Sequence, residues 1–256
     1  MKKIISIFVL AIILFQPLSA SSQELILPER ETIEAYNPEL DIDELIEALP
    51  EDASLEDPYL WLVNRDNRIT DPTDMSLAYT GGGIPYSAEI VEPFEALITG
   101  AELDGHYLYA VSGYRSVAQQ AANFEARLNL NMSDGLDYDT AYYYTDMFVA
   151  PADASEHSTG LAIDLLGYDW DQYGGDLHQA YGQYPSAIWL AEESDAYGFV
   201  VRYLDGKQDI TGYEYEPWHF RYVGVEHAEF MNEYDLVLEE YLALIQMRDE
   251  SKSETE

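Results

Sequence analysis

The chain has 256 residues, 49 acidic and 12 basic, giving a formal net charge of −37, and it contains no cysteine. Its 47% hydrophobic residues, with 22 tyrosines, supply ample core material and exclude global disorder. Charge this negative argues against nucleic-acid phosphates and anionic membrane surfaces as main partners. The lack of cysteine excludes a disulfide framework, a thiol nucleophile, thiolate zinc sites and a lipid-modified cysteine, so any metal must be held by His and carboxylate.

In chain order, residues 1–22 read as a secretory signal. Lys2 and Lys3 precede an apolar run from Ile4 to Phe15, and small residues follow Pro17. The run is too short to cross ~30 Å of hydrocarbon at 1.5 Å per residue. The protein is expected to be exported, with retention as an uncleaved membrane anchor the alternative. Residues 23–58, acidic and carrying Pro28, Pro38 and Pro50, read as a linker with one short helix around Ile42 to Leu49. A globular domain is expected over 59–247.

Within that domain, alternating Tyr107, Tyr109 and Val111 predict a strand running into a Ser112-Gly113 turn. Ser116 and Gln119 form a capping box for a helix to Leu130, with Ala118, Ala121, Ala122, Phe124 and Leu128 as its packed face. Asp139 suits the cap of a short helix ending at Phe148. Leu161, Ile163 and Leu165 predict a mostly buried strand. A helix over Ser186–Tyr197 is stopped by Gly198, and strands follow over Phe199–Tyr203 and Phe220–Val223. Phe230, Tyr234, Val237, Tyr241 and Leu244 mark one long amphipathic helix over Glu226–Met247, followed by a polar, frayed tail over 248–256. Short strands mixed with helices, without a regular βαβ rhythm, predict an α+β fold.

Three clusters carry chemistry. His157 and Asp164 lie in Ser155-Glu156-His157-Ser158-Thr159-Gly160-Leu161-Ala162-Ile163-Asp164, and His219 lies in Glu216-Pro217-Trp218-His219. Two imidazoles and a carboxylate can supply the three protein ligands of a catalytic zinc, leaving Glu216 to take a proton from water. Asp164 sits among apolar residues, where an unpaired charge is costly and a metal would compensate it. Pro217 pushes Glu216 towards extended geometry, so Glu216 and His219 are not a helical pair. Spacing alone equally fits a buried His and Asp that hydrogen-bond to each other. Arg115, in Ser112-Gly113-Tyr114-Arg115-Ser116, suits either a carboxylate or developing oxyanion, or a salt bridge to one of the many acids. His106, His178 and His227 read as exposed histidines without a catalytic part.

Taken together, Ser-Gly-Tyr-Arg-Ser (112–116), Ser-Glu-His-x-x-Gly-x-x-x-Asp (155–164) and Glu-Pro-Trp-His (216–219) resemble the signature of VanY-type D-alanyl-D-alanine carboxypeptidases, zinc peptidases of the bacterial cell wall. The resemblance covers roughly residues 59–225. It implies the family's α+β fold, with a small mostly antiparallel sheet and packed helices. It implies one zinc ion on His157, Asp164 and His219, with Glu216 as catalytic base and Arg115 on the oxyanion. Ser155 and Trp218 would line the pocket for the terminal D-residue. The implied substrate is the stem peptide of peptidoglycan, and no stable protein partner is predicted. The same site chemistry serves an L,D-carboxypeptidase or a peptidoglycan endopeptidase, and a non-catalytic wall-binding module is the remaining alternative. The intact Glu216 and complete ligand set argue against a module. The segment 167–184, with four tyrosines, an adjacent glycine pair and His178, departs from the family pattern and is expected to reshape the cleft.

The fourfold excess of acids over bases has its own consequence. Self-repulsion should relax as salt screens it, so the melting temperature should rise as sodium chloride goes from low levels towards molar. A flat or falling curve would show that the acids are spread so that repulsion hardly matters.

Overall fold

The computed structural model describes residues 25–72, 75–172 and 174–255. The segment read as a signal, 1–22, lies outside the described residues. The chain opens with two short helices, α1 (Arg30–Tyr36) and α2 (Ile42–Ala48), the second capped by Asp41, whose side chain accepts from Asp43 and Glu44. A small hairpin, β1 (Leu77–Tyr79) and β2 (Pro85–Ser87), leads into α3 (Val91–Leu103). Then come β3 (Leu108–Ser112), the helix pair α4 (Val117–Ser133) and α5 (Tyr138–Phe148), and β4 (Ala162–Gly167). The one-turn α6 (Tyr168–Asp171), α7 (Pro185–Glu193), β5 (Phe199–Val201), the one-turn α8 (Gln208–Thr211) and β6 (His219–Tyr222) follow. Two helices close the chain, α9 (Val225–Glu233) and α10 (Leu238–Thr255).

The main sheet has strand order β3-β4-β6-β5 with every pair antiparallel, so the fold is α+β as expected. β4 is buried along its whole length. Side chains alternate across a strand, so Ile163 and Leu165 point with Phe199 and Phe220 to one face. There they meet Phe94, Leu97 and Ala101 of α3 and Leu190 of α7. Asp164, His219 and Arg221 point to the other face, and that division places the site.

Several elements differ from the sequence reading. The stretch expected as a linker is packed structure from residue 25: Ile33, Ile42, Leu45 and Leu49 are buried in one apolar cluster with Leu238, Tyr241, Leu242 and Ile245 of α10. Its high acid content masked apolar residues at helical spacing. The expected single C-terminal helix is two. Asp235 takes a left-handed φ of 53°, which no helix interior tolerates, and the break lets both halves pack on the core. The tail expected to fray continues α10 through Thr255. The capping box of α4 is present, with Ser116 and Gln119 answering each other's backbone, yet its alanines 118, 121 and 122 are exposed and Gln120 is the buried residue. α5 is capped by Asp137 rather than Asp139. His227, read as exposed, is buried and bonded through Nδ1 to the Tyr241 hydroxyl at 2.7 Å.

If residues 25–58 belong to the fold, truncating the fully buried Ile33 to Ala should cost about 2–5 kcal/mol in urea denaturation. A loss below about 0.5 kcal/mol would return the segment to the status of a linker.

Candidate metal centre and cleft

Register builds the centre. β4 and β6 pair so that Asp164 lies directly opposite His219, and β3 sets Ser112 against Asp164 from the other side. His157 arrives from the turn of 3-10 helix over Glu156–Thr159, which Gly160 ends with a left-handed φ of 71°. A side chain at Gly160 would also collide with the Met75 sulfur at 2.8 Å. Glu216 precedes Pro217 in an extended loop, its N–H bonded to the Tyr203 carbonyl, and a turn brings the His219 N–H to the Glu216 carbonyl. Glu216 and His219 are thus a loop residue and the first residue of a strand, as the proline predicts.

The donor atoms converge. His157 Nε2 lies 3.4 Å from Asp164 Oδ2, and His219 Nδ1 lies 3.3 Å from Asp164 Oδ1. One ligand atom from each of the three residues falls within 4.8 Å of the other two, and all three residues are buried. His157 Nδ1 sits 2.7 Å from the Gly113 carbonyl, so Nδ1–H donates and Nε2 keeps its lone pair towards Asp164. Gly113 is required there, since a Cβ would come within 2.2 Å of the Pro85 carbonyl. Asp164 Oδ1 is buried with no hydrogen-bond partner among the described residues. Two imidazole nitrogens, a carboxylate and an orphaned oxygen between them fit a divalent ion of zinc's preferences.

The charges are strongly shifted. Burial pushes the Glu216 carboxyl up to about 8, with His219 and Arg115 partly offsetting. Burial disfavours charge on both imidazoles with opposite outcomes. His157 falls to about 4, helped by Arg115, whereas the neighbouring carboxylates of Asp164 and Glu156 outweigh burial and raise His219 to about 9. Burial opposes the charge on Asp164 too, but the flanking imidazoles hold it well below the usual carboxylate range.

A cleft of about 430 Å³ opens over this centre. Arg115, Ser155 and Trp218 line it, and so do Gln120, Tyr203 and Tyr213, which the sequence reading gave no part in the site. Gln120 was legible only as a helix residue. Its side chain accepts from Arg115 Nε at 2.9 Å and donates to the Ala150 carbonyl at 2.7 Å. Among the described residues Arg115 bonds to Gln120 and Ser112 and to no carboxylate. His178, read as a loop histidine, is exposed at the cleft rim beside Leu177 and Gln179. The segment 167–184 is anchored beneath them by buried Tyr181 and by Asp169, which accepts from the Ser186 hydroxyl at 2.6 Å.

Metal uptake must displace protons from this centre. His219, raised above 6.5, is protonated at pH 7 without metal, and its stabilising proton is lost as pH rises through about 9. Calorimetric titration with a divalent cation at pH 7, in two buffers of different ionisation heat, should therefore show release of at least one proton. Apparent affinity should climb towards pH 9. Uptake without proton release would mean that His219 is already neutral.

The VanY D-alanyl-D-alanine carboxypeptidase family model matches residues 84–225. A D-alanyl-D-alanine carboxypeptidase of Enterococcus faecalis (strain ATCC 700802 / V583) is 33% identical over 183 residues, 72% of this chain and 65% of the relative. YodJ of Bacillus subtilis (strain 168) is 37% identical over 153 residues, 60% of this chain and 52% of its own length. The chain thus spans about half to two thirds of these curated relatives. Among solved structures, a variant of the vancomycin-resistance D,D-pentapeptidase VanY in complex with Zn(II) aligns with TM-score 0.64 and 33% identity, over 73% of this chain and 99% of that one. VanYB in complex with D-alanine-D-alanine aligns equally well, with TM-score 0.64 and 33% identity over 72% of this chain and 97% of its own. The LdcB LD-carboxypeptidase follows at TM-score 0.61 and 31% identity, over 74% and 89%. With the family model matched over more than half of its length, the chain belongs to the VanY family of D-alanyl-D-alanine carboxypeptidases.

Proposed function

We propose that the protein is an exported zinc carboxypeptidase that removes the terminal D-alanine from peptidoglycan stem peptides. The observation that carries the reading is the convergence of His157, Asp164 and His219 with Glu216 at the floor of one cleft that Arg115 also lines. The Zn(II) and D-alanine-D-alanine held by its structural relatives support the choice of ion and substrate. Export rests on the sequence of residues 1–22.

Zinc, when bound by His157, Asp164 and His219, supplies Lewis acidity that lowers the pKa of water and polarises a carbonyl. The remaining work belongs to the chain. Glu216 stands 3.5 Å from His219 Nδ1, beside the ligands but outside their set. Its buried carboxyl, whose ionised form a cation on the neighbouring ligands would favour, then accepts the proton of the attacking water and returns it to the leaving amine. Arg115 is held by Gln120 and Ser112 and is largely desolvated, which strengthens its pull on the carbonyl oxygen as negative charge develops. Ser155 and Trp218 shape the pocket for the terminal residue.

Glu216→Gln keeps size and polarity but cannot take up the proton. It should retain about one equivalent of zinc and the affinity for stem peptide, while D-alanine release falls by about 10²–10⁴-fold. Mass spectrometry of pentapeptide and tetrapeptide after incubation with the wild type reads the bond cleaved. Loss of D-alanine from the pentapeptide supports the D,D reading, and cleavage of the tetrapeptide alone replaces it with the L,D alternative. Binding without cleavage of either makes the chain a wall-binding module. Loss of zinc from the variant would make Glu216 a ligand.

A further inference from the structure

Glu156 is fully buried one residue before His157, and the mechanism above gives it no part. Its Oε1 accepts from Arg202 Nε and from Arg221 Nη1, each at 2.7 Å. Its Oε2 has no hydrogen-bond partner among the described residues. Facing it at 3.5 Å stands His219 Nε2, also buried and also without one. An orphaned acceptor and an orphaned ring nitrogen are each costly in a dry interior. Both are answered by a single proton on Nε2.

That proton leaves the lone pair of His219 on Nδ1, the atom 3.3 Å from Asp164 Oδ1 and 3.5 Å from Glu216 Oε2. His157 is set the opposite way, with Nδ1 at the Gly113 carbonyl and Nε2 towards Asp164. We propose that Glu156 is a positioning residue of the metal centre, its Oε2 accepting Nε2–H of His219 so that the ring presents Nδ1 to the ion. A carboxylate behind a ligating imidazole fixes its tautomer and raises its basicity. The two arginines hold Oε1 of Glu156 and so aim Oε2 at the ring. Glu239 of α10 grips Arg202 with bonds of 2.9 and 2.7 Å, and the Tyr59 and Trp61 carbonyls hold Arg221 at 2.9 and 2.8 Å. Segments at both ends of the domain thereby set the orientation of one ligand.

The proposal rests on the metal-centre reading, and its test separates the two. The full chain, nitrogen-labelled at histidine and loaded with zinc, is read by long-range proton–nitrogen correlation. His157 should carry its proton on Nδ1 and His219 on Nε2, the latter exchanging slowly with solvent. Glu156→Gln should bind zinc about 10–100-fold more weakly and speed that exchange. A His219 proton on Nδ1 in the wild type overturns the proposal. So does a Glu156→Gln variant that melts lower yet binds zinc within about threefold of the wild type, the behaviour of a mere counter-ion for the arginines. Should the variant fail to fold, the wild-type tautomer and exchange rate decide. A wild type that takes up no zinc overturns the metal centre and this proposal with it; zinc uptake with the wrong tautomer overturns this proposal alone.

Discussion

A carboxylate held in the middle of a buried strand is the constraint on which the rest of this molecule turns. Asp164 occupies β4 between Ile163 and Leu165, all three buried. Isolated there, its charge would be prohibitively expensive. It persists because β6 pairs with β4 in the one register that sets His219 opposite, while His157 closes from the preceding turn. Slipping β6 by one residue would send His219 to the apolar face and Phe220 to the site face, and bring no imidazole to the carboxylate. Fold register and site chemistry are therefore one requirement.

Beneath the site lies a second layer of buried charge. Arg202 and Arg221 share Glu156, Arg202 also takes Glu239, and Lys207 takes Glu240 together with Asn37. Buried pairs of this kind are weak as net stabilisers, because desolvation consumes most of the attraction, but removing one partner is severe. Their effect here is positional. They tie Asn64 at one end of the domain and Glu239 of α10 at the other, through Arg202 and Glu156, to Arg221 on the strand carrying His219, while Asn37 and Lys207 hold Glu240 of the same helix. They also draw three of the 12 basic residues into the interior. Glu156, Glu239 and Glu240 are buried with them, so these pairs leave the net charge of the surface unchanged.

The cleft has a floor and a rim of different build. Its floor is built on strands and on side chains locked by second partners, such as Arg115 between Ser112 and Gln120. Its rim at Leu177, His178 and Gln179 belongs to a loop held by Trp170 Nε1–H donating to the Asp176 carbonyl and by Asp169 accepting from Ser186. Reaction type follows from the floor. In the proposed function, the choice between neighbouring bonds of a stem peptide rests on what the rim admits.

By itself the sequence determined the residue types at the site and much of the local structure. Cysteine-free composition confined any metal to His and carboxylate, Pro217 kept Glu216 out of a helix, and alternation around Asp164 made a strand. The three ordered motifs carried the family. These signals are local, written in dihedral limits and in periods of two or 3.6 residues. Only the tertiary structure decided the rest. Residues 25–58 pack on α10 because their few apolar side chains find partners some two hundred positions away, a match invisible in a run of acids and prolines. The alanines of α4 stay in water because no described element covers them. Glu156 reads as one more acid until Arg202, Arg221 and His219 close around it. Such placements depend on which distant surfaces meet, and burial energy, being non-directional, leaves no periodic trace of its partner in the chain.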